Sequence, residues 1–97
     1  MTSDIAFLEQ LEAVIRQRLK EEPNDSYTAK LAAQGDKRIA QKVGEEAIEL
    51  AIAAVASDWD EQLNEAADLV FHLLVLLNAK GMRLSDVTRV LQERHRS

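Results

Sequence analysis

Three glycines and one proline are all that interrupt 97 residues. No stretch alternates apolar and polar side chains with the period of two that a half-buried strand requires. Apolar residues instead recur three and four apart, the spacing of a buried helix face. The reading is an all-α fold: a helical bundle of about four to five helices in a single domain spanning 1–97. Hydrophobic residues make up 46% of the chain and aromatics only 4%, so the core is aliphatic. A chain of this size buries a modest core alone, and completion of the bundle by dimerisation is expected.

The first helix is expected from Asp4 to about Glu22. Ile5, Leu8, Leu11, Ile15 and Leu19 lie on its buried side, and Glu9, Glu12, Arg16, Arg18 and Lys20 largely opposite. Ser3 or Asp4 would cap it, and Pro23-Asn24-Asp25 would end it. Ser26 to Gln34 reads as a short helix or an ordered loop. Gly35 breaks the chain, and Asp36 caps a long helix from about Lys37 to Ala56. Ser57-Asp58 separates this from a second long helix, about Asp60 to Lys80, which Gly81 stops. Ser85 would cap a last helix, Asp86 to about Arg94. Trp59 is expected to anchor packing at the turn between the long helices.

Absence of cysteine excludes a disulfide framework, an iron–sulfur cluster, a thiolate zinc site and a cysteine nucleophile. It fits a reducing, cytoplasmic setting. The net charge of −5 argues against wholesale nucleic-acid binding, yet leaves room for a local basic strip that holds a phosphorylated small molecule. Residues 1–20 mix acidic, basic and apolar side chains and lack the apolar region of a secretory signal. The longest apolar run, Leu69 to Leu77, is broken by His72, and about 20 residues are needed to span a bilayer. No membrane role is expected.

Chemistry concentrates on the two long helices. On the first, Val43, Ala47, Leu50 and Ala54 form one apolar arc and Ile48, Ile52 and Val55 a second. Lys42, Glu45, Glu46 and Glu49 fill the gap between them, so these acids are expected in a groove between packed elements. On the second, Glu61, Glu65, Asp68 and His72 share a narrow arc of a helix that otherwise reads as nearly all core. Glu46-x-x-Glu49 and Glu65-x-x-Asp68 each place two carboxylates on one face. In an antiparallel hairpin the two pairs meet. Four crowded carboxylates repel and lose hydration. A hard divalent cation relieves both, and an oxygen-only donor set suits Mg²⁺ or Mn²⁺. A structural reading of the same acids, as a solvated face or a register-setting seam, stays open at this point. His72 reads first as a partly buried histidine bonded to a seam carboxylate. Lys37, Arg38 and Lys42 read either as partners of nearby acids or as phosphate contacts, with Ser26, Tyr27, Thr28 and Lys30 just upstream.

The two acidic pairs, 15 residues apart, resemble the E-x-x-E … E-x-x-D signature of the all-α, MazG-like nucleoside triphosphate pyrophosphohydrolases. The stretches Ser26–Leu31, Gly35–Glu46, Asn64–Leu69 and His72–Leu77 more narrowly resemble the phosphoribosyl-ATP pyrophosphatases. The likeness runs from about Phe7 to His95. It implies a cytoplasmic, Mg²⁺-dependent, homodimeric hydrolase whose active groove lies near the subunit interface. Its reaction would split the α–β phosphoanhydride of 1-(5-phosphoribosyl)-ATP, the second step of histidine biosynthesis. Within that reading Glu46, Glu49, Glu65 and Asp68 hold metal. Glu45 serves as a further ligand or as the base for water. Lys37, Arg38, Lys42 and Lys30 contact the substrate's phosphates. Some members are fused to the cyclohydrolase of the next step; the length here leaves no room for that domain, so a stand-alone form is expected.

Two other readings use the same residues. A house-cleaning pyrophosphohydrolase acting on ordinary or damaged nucleoside triphosphates shares the acid site and differs in its base and sugar pocket. A non-enzymatic helical assembly module would use the seam only to set helix register.

Overall fold

The computed structural model describes residues 4–56 and 58–96. It contains α1 (Phe7–Leu19), a 3₁₀ turn (Pro23–Asp25), α2 (Tyr27–Ala33), α3 (Asp36–Ala56), α4 (Trp59–Ala79) and α5 (Leu84–Arg94). The described residues hold no strand, as the scarcity of breakers requires, and no helix long and apolar enough to cross a membrane.

Helix ends follow backbone bonding more than the side-chain signals. Ser3 lies outside the described residues. Asp4 offers its carbonyl rather than its carboxylate: the Phe7 N–H donates to it at 3.2 Å, so a turn precedes α1. The open segment after Ser26 is a helix, because Ser26 Oγ accepts the Ala29 N–H at 3.0 Å. Gly35, at φ 98°, supplies the carbonyl that receives the Arg38 and Ile39 N–H groups. Asp36 is therefore inside α3 rather than its cap, and its carboxylate pairs with Lys80 Nζ at 2.9 Å. Asp58 caps α4 through Glu61 N–H at 3.0 Å. Gly81, at φ 82°, closes α4 in a Schellman turn, with Met82 N–H on the Leu77 carbonyl at 2.8 Å and Gly81 N–H on Asn78 at 3.1 Å. Ser85 does not cap α5; the Asp86 carboxylate does so by accepting the Arg83 N–H at 2.9 Å.

α3 and α4 form an antiparallel hairpin. Asp36 at the start of one meets Lys80 at the end of the other, while Glu46 and Glu49 meet Glu65 nearer the turn. The hydrophobic core occupies only one half of this hairpin. Ile15, Leu31, Ile39, Leu74 and Val75 are buried together where α1 and α2 cover the start of α3 and the end of α4. The other half projects. Ile48, Ile52 and Val55 on α3, and Leu63 on α4, are exposed. Trp59 is 73% exposed and anchors no packing in this chain. α4, expected to be nearly all core, buries residues only from His72 onward. The radius of gyration is 14.7 Å, against ~13 Å for a compact domain of about 100 residues.

Glu12 corrects the helical wheel. Placed on the polar side of α1, it is 5% exposed. Its Oε2 accepts from Asn78 Nδ2 on α4 at 2.9 Å and from the Leu84 N–H of α5 at 2.8 Å. One carboxylate thus joins three helices, and α5, which has no fully buried residue, is held by that bond and by Leu84, packed against the core. Glu12→Ala is expected to cost about 1–3 kcal/mol, because two part-buried donors lose their acceptor. Glu12→Gln, which keeps an oxygen there, should recover part of the loss. Urea unfolding of both variants measures the difference; equal stability of Glu12→Ala and the parent would contradict the account.

Candidate active site

The register of the hairpin brings carboxylates of both long helices together. Oxygens of Glu46, Glu49 and Glu65 lie within 4.8 Å of one another. Glu46 is 6% exposed, Glu65 is half-buried and Glu49 exposed. Asp68, one turn beyond Glu65, is exposed, and its carboxylate is outside this group. Of the four acids expected to meet, three do so.

The cluster is electrostatically incomplete. Glu46 Oε1 lies 3.2 Å from Lys42 Nζ, but Glu46 Oε2 and Glu65 Oε2 are buried with no hydrogen-bond partner. Such an acceptor forfeits its hydration. Without a cation, the group relieves this by keeping a proton. The Glu49 carboxyl is pushed up to about 7 by its hydrogen bonds with Glu46 and Glu65 and by their charge. Burial drives Glu46 upward too. The Lys42 ammonium and the bond with Glu49 outweigh burial, and Glu46 sits below its ordinary value. Lys42 is held above its usual range, chiefly by its bond to Glu46. Orphaned, oxygen-only donors from two rigid helices fit a hard divalent cation.

Glu45 points to a different set of partners. Its Oε2 accepts from Gln41 Nε2 at 3.0 Å, and its Oε1 lies 3.7 Å from Lys42 Nζ and 3.9 Å from Arg38 Nη1. Arg38 and Lys42 thus form a basic strip on the same face of α3 as the acids. Lys30 on α2 and Lys37 in the first turn of α3 are exposed.

His72 is buried and satisfied, but not by a seam carboxylate. Its Nδ1 lies 2.7 Å from the Asp68 carbonyl, which can only accept, so Nδ1 carries the hydrogen. Nε2 is then the acceptor for the Tyr27 hydroxyl at 2.7 Å. The rings of Tyr27 and Phe71 both meet His72 edge-on, at centroid distances of 5.7 and 5.2 Å. This clasp fastens α2 to α4 beside the acids. Tyr27 stands out in the sequence only as a hydroxyl after a helix cap. Its partner lies 45 residues away, beyond any local spacing rule.

The raised Glu49 carboxyl has a sign that can be measured. Folded protein retains this proton when the unfolded chain, near pH 4.5, has lost it. Stability from this group is present below pH 4.5 and is lost as pH rises through about 7. In chelator, the melting temperature of Glu49→Gln is expected to exceed the parent's by a margin that widens across that window and then levels off. Parallel melting curves at every pH would rule the shared proton out.

Residues 8–95 match the phosphoribosyl-ATP pyrophosphohydrolase family. The chain is 55% identical over 91 residues to the histidine biosynthesis bifunctional protein HisIE of Photobacterium profundum, covering 94% of this chain and 44% of that protein. It is 51% identical over 94 residues to the Vibrio cholerae HisIE, covering 97% and 45%. The Yersinia pestis HisIE is 54% identical over 93 residues, covering 96% and 46%. The chain therefore spans about half the length of the curated relatives it matches. The matched region takes in α3 and α4 whole, with the carboxylates they bring together, and the chain belongs to the phosphoribosyl-ATP pyrophosphohydrolase family.

Proposed function

We propose that this chain is one catalytic domain that hydrolyses the α–β phosphoanhydride of 1-(5-phosphoribosyl)-ATP. The products are 1-(5-phosphoribosyl)-AMP and pyrophosphate, the second step of histidine biosynthesis. The observation that carries the reading is the cluster of Glu46, Glu49 and Glu65, with two buried oxygens that no donor satisfies. Family membership supplies the substrate class.

Glu46, Glu49 and Glu65 would hold Mg²⁺, or Mn²⁺ in its place, with Asp68 added by a change of side-chain rotamer. The ion would neutralise phosphate charge and make bound water more acidic. The chain's own residues do the rest. Arg38 and Lys42, with Lys30 and Lys37 at the rim, hold a triphosphate of about four negative charges in line with the acids; positioning and charge stabilisation dominate such reactions. Water adds through oxygen to one phosphorus of the α–β bridge, and the bridging P–O bond breaks with its electron pair on the leaving oxygen. Glu45 is the proposed acceptor of the water's proton. In the free protein Gln41, Arg38 and Lys42 all engage it. Substrate phosphates would compete with it for the two cations. The Tyr27–His72 clasp keeps α2, and with it Lys30, against this face.

The same reading has the chain act as a cytoplasmic homodimer on a small nucleotide, with no role for nucleic acid or membrane. The uncovered half of the hairpin supports a second copy: Ile48, Ile52 and Val55 are 63%, 63% and 86% exposed, and with Ala51 and Ala56 they line an apolar hollow of about 500 Å³. A patch of this kind is unusual on a chain that stays alone.

Pyrophosphate release in Mg²⁺ should favour phosphoribosyl-ATP strongly over ATP, dCTP and dUTP. Preference for a plain nucleotide would move the protein to the house-cleaning branch. Glu49→Gln and Asp68→Asn are each expected to lower turnover by about a hundredfold or more; intact Mg²⁺-dependent turnover would refute the ligand assignment. Ile52→Glu should shift the protein from dimer to monomer in sedimentation, and an unchanged profile would place the interface elsewhere.

A further inference from the structure

Lys42 is held in a way that a simple phosphate anchor would not be. Its Nζ is 3.2 Å from Glu46 Oε1 and 3.7 Å from Glu45 Oε1, and its side chain is only 22% exposed. The other oxygen of Glu46 is buried and unpartnered, and Glu46 is one of the three converging carboxylates. Glu46 thus lies between an ammonium and two like-charged acids. Among the described residues Lys42 is the only cation in contact with that group.

Charge balance then sets a competition. Three ionised carboxylates carry three negative charges, and Lys42 offsets one of them. A divalent cation offsets two, from a position that shares Glu46 with Lys42. The two cations repel at that range. The lysine can yield, because its ammonium sits on a flexible four-carbon stem. A triphosphate at the same face offers it new partners.

We propose that Lys42 is a placeholder cation: its ammonium neutralises Glu46 while the acid cluster lacks metal, and passes to the substrate's phosphates when a divalent cation takes the cluster. This rests on the metal-dependent hydrolase reading above and adds an order to it. Lys42 opposes metal binding in the free protein and favours nucleotide once metal is present. A lysine that merely oriented Glu46 would have the opposite effect on metal, and one that only touched phosphate would have none.

The test is Mn²⁺ binding to the full chain without nucleotide at pH 8, by calorimetry, for the parent, Lys42→Met and Lys37→Met. Lys37 lies on the same helix about 13 Å from Glu46 and controls for the loss of one charge at long range. Lys42→Met is expected to bind Mn²⁺ about three- to tenfold more tightly than the parent. Lys37→Met should differ by less than about twofold, since charges that far apart are largely screened. The same Lys42→Met substitution should raise KM for phosphoribosyl-ATP about tenfold at saturating Mg²⁺. Equal or weaker Mn²⁺ binding by Lys42→Met, or an unchanged KM, overturns the proposal and leaves the hydrolase reading in place. Failure of the parent itself to bind Mn²⁺ overturns both. Lys42→Gln gives the same comparison if the methionine variant does not fold.

Discussion

The molecule is organised around a carboxylate it cannot satisfy alone. Glu46 is nearly buried, one of its oxygens has no hydrogen-bond partner, and its carboxylate converges with those of Glu49 and Glu65. Two rigid helices impose this arrangement. The register that brings Glu49 to Glu65 is the one that closes the Asp36–Lys80 bridge at the other end of the hairpin. The backbone positions of the acids cannot separate without shifting α3 along α4, which would expose Ile39, Leu74 and Val75. Hydrophobic burial at one end therefore holds like charges together at the other. That is how a site with high affinity for a cation can be built from side chains that repel one another.

The division of labour along the hairpin explains the rest of the fold. α1 and α2 cover the half that lacks the site, and the Tyr27–His72 clasp is the last contact before the acids begin. Beyond it Ala53 is buried, but Ile48, Ile52 and Leu63 are largely exposed. A hairpin about 30 Å long that packs over only half its length is a poor monomer and a good half of a larger bundle. Glu12 has the corresponding task at the closed end. It spends one carboxylate oxygen on Asn78 and the Leu84 N–H, where α5 brings no fully buried side chain of its own.

Much of this was legible in the residues, and the parts that were not share a cause. Helix number, the break at Gly35, the stop at Gly81 and the pairing of the two acidic helices follow from spacing of four residues or fewer. The places of Glu12, Tyr27 and Trp59 depend on distant parts of the chain. Glu12 sits on the polar side of its own wheel, yet two donors from distant helices bury it. Tyr27 is an ordinary polar residue until His72, fixed in one tautomer by the Asp68 carbonyl, presents a bare acceptor to it. Trp59 carries the composition of a packing anchor but stands where the chain has no surface to pack against. Helix ends shifted for a related reason: the Gly35 carbonyl takes the N–H groups that an Asp36 cap would accept, and α5 starts at Leu84, ahead of Ser85, where Asp86 accepts the Arg83 N–H.

Asp68 marks the boundary between motif and geometry. By spacing it pairs with Glu65 as Glu49 pairs with Glu46, and all four acids belong to one pattern. In the structure its carboxylate is exposed while its carbonyl orients His72. The backbone at Asp68 thus takes part in the rigid clasp, while its side chain remains free to turn. A cluster with three converging carboxylates and a fourth one turn away keeps like-charge repulsion below what four would generate. Under the proposed function, a bound cation would offset the cost of bringing the fourth carboxylate in. Three converging carboxylates already leave two buried oxygens without a partner, and a fourth would add repulsion without adding a donor.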